Sequence, residues 1–294
     1  MNTQVIKMRN KLVLLISIFL FFSSHRLFAT EIVLYGTFKD SYQFELLKHA
    51  LSYSPENNYQ ISNFNNRLPK DRAFDFMNKN EHVDVIFGGA TIEREQKALP
   101  IRIPILKGIN GWRVPLVNKK KHPLFKQVNS IEQFRKLVPG QFHTWSDTKV
   151  LESNNIRVEK GADFEGLFLM LDKERFDYFP RSVLEVDHEY EAHKILNITI
   201  DNSVLVHYPT ANYFYVAKNN QALAKIITFG LEQALADGSF DQLFFKYFAE
   251  VIDRVKKNNV KIFSLKNPYL SEKAPLARKE LWIPLPSSSS QIIM

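Results

Sequence analysis

Val83-Asp-Val-Ile-Phe-Gly-Gly-Ala-Thr-Ile-Glu-Arg94 is the stretch that decides the fold. Its apolar start, Val83 to Phe87, has the length and composition of a buried strand, and it ends at a Gly-Gly pair. Thr91 and Arg94 follow, three residues apart, where a helix would begin. A strand that feeds a helix is the repeating unit of α/β architecture. A hydroxyl and a guanidinium at such a strand end are suited to holding a carboxylate, so Thr91 and Arg94 read as a binding site rather than a reaction centre.

Upstream, the same alternation recurs. Glu31 to Gly36 reads as a strand, and Tyr42 to Tyr53 as a helix with Phe44, Leu47, Ala50 and Leu51 on one face. Tyr59 to Phe64 reads as a second strand, and Asp71 to Asn78 as a helix with Ala73, Phe74 and Met77 inward. The pattern predicts an α/β fold with mainly parallel sheets, and residues 30–113 form the first part of lobe 1.

Downstream, Trp112 to Asn118 is extended, since Pro115 cannot sit inside a helix, and Ser130-Ile-Glu-Gln133 is a capping box. The crossing into lobe 2, residues 114–208, is placed there. Gly140 to Trp145 reads as a short strand, Ser146-Asp-Thr148 as the cap of a helix over Lys149 to Asn154, and Phe176 to Phe179 as a further strand. Val204 to Val216 would return the chain to lobe 1, giving two hinge crossings with a ligand cleft between the lobes. Residues 209–294 then complete lobe 1. They hold a helix over Leu223 to Leu235, a second helix capped by Ser239 and Gln242, and a surface strap after Asn267-Pro268 with a disordered tail.

Lys7, Arg9 and Lys11 precede the apolar run Leu12 to Phe22, and Ala29 offers a small residue for cleavage. Residues 1–29 thus read as a signal peptide, and the location as periplasmic. Removing Lys7, Arg9, Lys11 and Arg26 takes four charges from the formal +8 and leaves +4. Apart from Lys119-Lys120-Lys121, that excess is interspersed with acids, so the basic stripe of a nucleic-acid binder is missing. The chain has no cysteine, hence no disulfide framework. It carries no Gly-x-Ser-x-Gly, no His-Glu-x-x-His and no glycine-rich phosphate loop, and its 8 histidines show no metal-ligand spacing. The expectation is a monomeric binding protein that is not an enzyme and uses no cofactor or metal.

The order of elements, Thr91-Ile-Glu-Arg94, the return at Tyr208 to Val216, and Leu231 to Phe248 read as helix, Asp-Gly-Ser-Phe, helix, together resemble a known family. It is that of the periplasmic extracellular solute-binding proteins of the polar amino acid type, family 3, with the type 2 periplasmic-binding fold. Leu99-Pro-Ile-Arg-Ile-Pro-Ile105, Trp145-Ser-Asp-Thr148, Arg175-Phe-Asp-Tyr-Phe-Pro-Arg181 and Asn267-Pro268 resemble an uncharacterised gammaproteobacterial branch.

The resemblance implies that Thr91 and Arg94 grip the ligand carboxylate, and that Asp147-Thr148 stands where the family has a Gly-Thr contact. The family's ammonium-binding acid is replaced by Pro180-Arg181-Ser182, so Arg181 either points to a second acidic group on the ligand or braces the strand end against Glu185 or Asp177. Tyr35, Phe38, Trp112, Trp145 and Tyr178 lie at predicted strand ends and complete the candidate lining. The implied function is a receptor that closes on a small anionic or amino-acid-like ligand and presents it to an ABC-type transporter in the inner membrane. A sensory partner of a membrane signalling protein is the alternative, with a binding-fold-derived lyase or peptidoglycan enzyme as a third.

Overall fold

A computed structural model describes residues 29–36, 38–55, 58–64, 68–257, 260–288 and 290–293. Apart from Ala29, the leader expected over 1–29 lies outside the described residues. The first sheet has the order β2-β1-β3-β11-β4, from β1 (Thr30–Tyr35), β2 (Tyr59–Asn63), β3 (Val85–Gly89), β4 (Leu99–Ile101) and β11 (Asn212–Val216). On it pack α1 (Tyr42–Ser52), α2 (Lys70–Asn78) and α3 (Ile92–Lys97), followed by the long helices α8 (Gln221–Ala236) and α9 (Ser239–Lys257).

The second sheet has the order β13-β12-β10-β5-β8, from β5 (Trp112–Asn118), β8 (Tyr178–Ser182), β10 (Val204–His207), β12 (Lys261–Ser264) and β13 (Ser290–Ile293). The short strand β9 (Ile198–Ile200) also pairs with β5. Helices α4 (Ile131–Arg135), α5 (Ser146–Ser153), α6 (Phe164–Asp172) and α7 (Val186–Ala192) accompany this sheet, with a small parallel pair, β6 (Gly140–Phe142) and β7 (Glu159–Gly161).

The expectation of mainly parallel sheets is corrected. β1 is parallel to β2 and β3, but β11 is antiparallel to β3 and β4, and β5 is antiparallel to β8, β9 and β10. Parallel neighbours require a crossover on the sheet face. β5 and β11 instead enter from the other lobe, so they run against their neighbours. The chain first passes between the sheets over residues 102–111 and 208–211, and these two passages touch: Tyr208 N–H donates to Gly111 O at 3.3 Å. A Cβ on Gly111 would stand 2.2 Å from Tyr208 O, so only glycine permits that approach.

Several boundaries move. β3 runs to Gly89 because both glycines pair with β11. α5 starts at Ser146 with Trp145 as its N-cap, so Thr148 lies inside the helix rather than capping it. The Ser239 hydroxyl is bonded to His49 and Tyr53, and Asp237 accepts the Ser239 N–H at 2.9 Å, so the capping box expected there is not formed. At Ser130 the hydroxyl does cap the helix by accepting the Gln133 N–H, but the Gln133 side chain accepts from the Asn129 N–H at 2.7 Å rather than from Ser130, so only half of the predicted box forms.

The C-terminal segment also differs from the expectation that 209–294 belongs to lobe 1. β12 and β13 extend the second sheet, and Ile292 packs on its core beside Phe263. Residues 290–293 therefore form a strand, because β12 offers an open parallel edge. Between these strands, Leu270 and Ala274 enter the first sheet's core with Phe74, Ile86, Tyr213 and Tyr215. Trp282 covers Gly108 on the first passage, and Lys107 there donates to Asp241 of α9 at 2.5 Å and to Glu280 O at 2.7 Å.

Candidate functional site

The two sheets face each other across a polar cleft. Its inner part, about 550 Å³, is bounded on the first-sheet side by Lys70, Gly88, Gly89, Arg94 and Asn212 and on the other by Ser146, Leu184 and Glu185. An outer part of about 610 Å³ shares Lys70 and Arg94 and adds Arg113, Trp145, Asp147 and Arg181. Thr91 borders a small recess beneath, of about 50 Å³, with Arg113, Tyr208 and Thr210.

The first wall is built as the sequence implies. Thr91 has extended backbone and its hydroxyl accepts the Arg94 N–H at 3.2 Å, capping α3. Arg94 Nη1 donates to Gly89 O at 2.8 Å, and a Cβ on Gly89 would stand 3.3 Å from that nitrogen. Among the described residues, no carboxylate pairs with Arg94. Lys70, the first residue of α2, has its ammonium over the backbone of Gly88, 3.7 Å from where a Cβ would be. It makes neither a hydrogen bond nor an ion pair among the described residues. Burial, with the Arg94 charge nearby, lowers its pKa to about 8.

On the opposite wall the charges are paired. Arg113 is buried and contacts Asp147 at 2.7 Å; Asp147 also accepts from the Tyr208 hydroxyl. Burial alone would lower the Arg113 pKa, but Asp147, together with Tyr208 and Glu185, more than reverses this and holds the guanidinium charged. Its Nε has no hydrogen-bond partner among the described residues, and neither do Thr210 Oγ1 and Asn212 Oδ1.

Arg181 is 5% exposed. It grips Glu189 through two bonds of 2.6 Å, reaches Glu185 at 3.0 Å, and lies 4.6 Å from the Trp145 ring centre. Its fork is thus occupied by α7, which offers two carboxylates one turn apart. The structure brings Arg94, Trp145 and Arg181 to the cleft and Thr91 to the recess. It does not bring the others. Thr148 is buried and donates its hydroxyl to Phe142 O at 2.9 Å. Tyr178 sits in the lobe 2 core, its ring 5.2 Å from that of Phe125, and burial pushes its phenol pKa far up. Trp112 is buried beside a separate cavity of about 190 Å³ shared with His207 and Trp282. Tyr35 donates to Leu68 O at 2.6 Å, and Phe38 is exposed outside the cleft.

Sequence reasoning missed Lys70, Asn110, Arg113, Glu185 and Asn212. One local signal was available for Lys70: a cation in the first turn opposes the helix dipole, and local rules broken in this way gather at functional sites. No group of three or more His, Asp or Glu able to hold a metal occurs among the described residues, and none of their helices is long and apolar enough to cross a membrane.

No family model and no curated protein matches the sequence. Solved structures do match. The probable amino-acid ABC transporter extracellular-binding protein ytmK from Bacillus subtilis is similar at 17% identity and TM-score 0.54, over 76% of this chain and 99% of that one. An ancestral arginine-binding protein bound to arginine matches at 18% and 0.52, over 75% of this chain and 98% of that one. A structure described for glutathione import through GshT and the cystine ABC importer TcyBC of Streptococcus mutans matches at 14% and 0.53, over 75% and 95%. At these identities the likeness concerns shape, and what it establishes is that the chain has the two-lobed α/β fold of extracellular solute-binding proteins.

Proposed function

We propose that the protein is a periplasmic solute-binding receptor that closes on a small anionic or amino-acid-like ligand and presents it to an ABC-type transporter. The observation that carries the reading is Arg94: its guanidinium borders the interlobe cleft, is held by one backbone carbonyl, and faces no carboxylate of its own among the described residues. A guanidinium held this way retains donors for a planar oxyanion. Thr91, whose hydroxyl accepts from Arg94 N, keeps its own proton to donate. The solved structures of this shape include an arginine-binding protein bound to arginine or to glutamine, and both ligands carry a carboxylate.

Ligand bridging both walls would favour the closed state by its preferential contacts there. On this reading residues 1–29 are a cleaved leader, the chain works as a monomer, and it catalyses no reaction. The test is a thermal-shift screen of amino acids, dicarboxylates and muropeptides, followed by titration of the best ligand against Arg94→Met. Losing a charged partner in a desolvated site is expected to weaken binding by about 2–5 kcal/mol. Unchanged affinity in that variant would reject the site.

A further inference from the structure

We propose that the ligand carries two separate acidic groups, one held by Arg94 and the other by Lys70. The inference rests on the binding-receptor reading and narrows its ligand class to small dianions. Its basis is the charge inventory of the cleft. Each carboxylate lining it already contacts a cation other than Lys70 or Arg94: Asp71 meets Lys97 at 2.9 Å, Asp147 meets Arg113 at 2.7 Å and Glu185 meets Arg181 at 3.0 Å, with Lys97 shared with Glu93 and Arg181 with Glu189. Lys70 and Arg94 are left without a carboxylate among the described residues, and they lie on the same wall.

Their geometry favours two groups over one. Lys70 approaches the side of Gly88 where a side chain would project, and Arg94 does the same at Gly89. Successive residues of a strand face opposite ways, so the two cations flank the strand end rather than converge on one point. The strand end between them has no side chain, which leaves the wall open to a small molecule reaching both.

Lys70 also sits where charge is least comfortable. It begins α2, at the positive end of the helix dipole, it is half-buried, and the like-charged Arg94 adds to burial in lowering its pKa. An arrangement that penalises the free protein is retained when a ligand relieves it. The outer cleft around Lys70 also holds Asp71, Arg113, Asp147, Arg181 and Glu185, all engaged as described.

The experiment compares melting temperatures of the wild type, Lys70→Met and Arg94→Met in chloride, in succinate, in its half-amide succinamate and in sulfate, at matched ionic strength. General salting effects are common to the three proteins and cancel in the comparison. Without added dianion, Lys70→Met is expected to melt about 2 °C higher than wild type, since it removes an uncompensated, half-buried charge. A fall would mean that Lys70 supports the fold instead, and would overturn the proposal. With succinate, the wild type should gain stability over succinamate, with apparent affinity at least tenfold weaker in each variant.

If the gain is lost in Arg94→Met but kept in Lys70→Met, the dianion proposal fails while the binding site stands. A gain kept in both variants rejects the site as well. Stabilisation by sulfate alone, lost in both variants, would indicate one compact dianion and overturn the assignment of two separate groups. No dianion-specific gain in the wild type at millimolar concentration also overturns it.

Discussion

Arg181 shows how the same residue type is paired differently on the two walls of one cleft. Its guanidinium is buried against three aromatic rings, those of Trp145, Phe179 and Phe164, and is bound twice by Glu189, itself 12% exposed. Removing one partner of such a pair leaves the other charge buried and unpaired. Arg181→Met is therefore expected to cost about 3–5 kcal/mol of unfolding free energy in a urea titration. Joint replacement with Glu189→Leu should restore much of that loss. If Arg181→Met leaves stability unchanged and weakens ligand binding instead, Arg181 belongs to the ligand after all. Arg94 is expected to behave in the reverse manner, since its loss strands no charged partner among the described residues. The Thr91-x-x-Arg94 spacing was legible because capping is local, whereas the occupancy of Arg181 depends on α7 folding back over β8.

Among the elements, the packing of α1 against α8 is set by one position. Gly230 sits in the middle of α8, where glycine costs a helix about 1 kcal/mol relative to alanine. A Cβ there would lie 1.8 Å from the Ala50 carbonyl oxygen of α1, so the two helix backbones are in direct contact. That neighbour is backbone and cannot step aside. Gly230→Ala should thus destabilise despite its better helix propensity, by about 1–3 kcal/mol or more as the helices separate. A urea midpoint at or above that of wild type would show that α8 can slide. An isolated glycine inside a periodic helix signals such an approach in the sequence, but not its partner. The strap was legible only as composition: nothing local to Trp282 reports that it will cap Gly108, and nothing in Gln291-Ile-Ile293 reports the free edge of β12.

For the whole molecule, the consequence of two walls with unequal charge is motion. Asp75 on α2 and Lys149 on α5 are exposed, one turn from the cleft on opposite walls. Because the chain has no cysteine, Asp75→Cys and Lys149→Cys provide unique sites for a pair of spin labels. Saturating ligand is expected to shorten the distance between them and to narrow its distribution, as in a population shift toward a closed state. A distribution indifferent to a ligand that does bind would reject hinge closure. The C-terminal segment bears on that motion, since it joins the second sheet at β12 and β13 while Leu270 and Ala274 lie in the first sheet's core.

By itself, the sequence determined much of the succession of strands and helices and the Thr91–Arg94 cap at the end of a glycine-terminated strand. These follow from periodicity, proline and glycine placement, and side chains acting within a few residues of their own backbone. Only the tertiary structure decided which cations are paired with a carboxylate. Arg181 is neutralised by Glu189, Arg113 by Asp147, and Lys70 by no described carboxylate. It also decided that Thr148, Tyr178 and Trp112 are buried away from the cleft, and that residues 290–293 are a strand. The physical reason is range: capping and amphipathicity are read along the chain, but burial and charge neutralisation depend on which distant segments packing brings within a few ångströms.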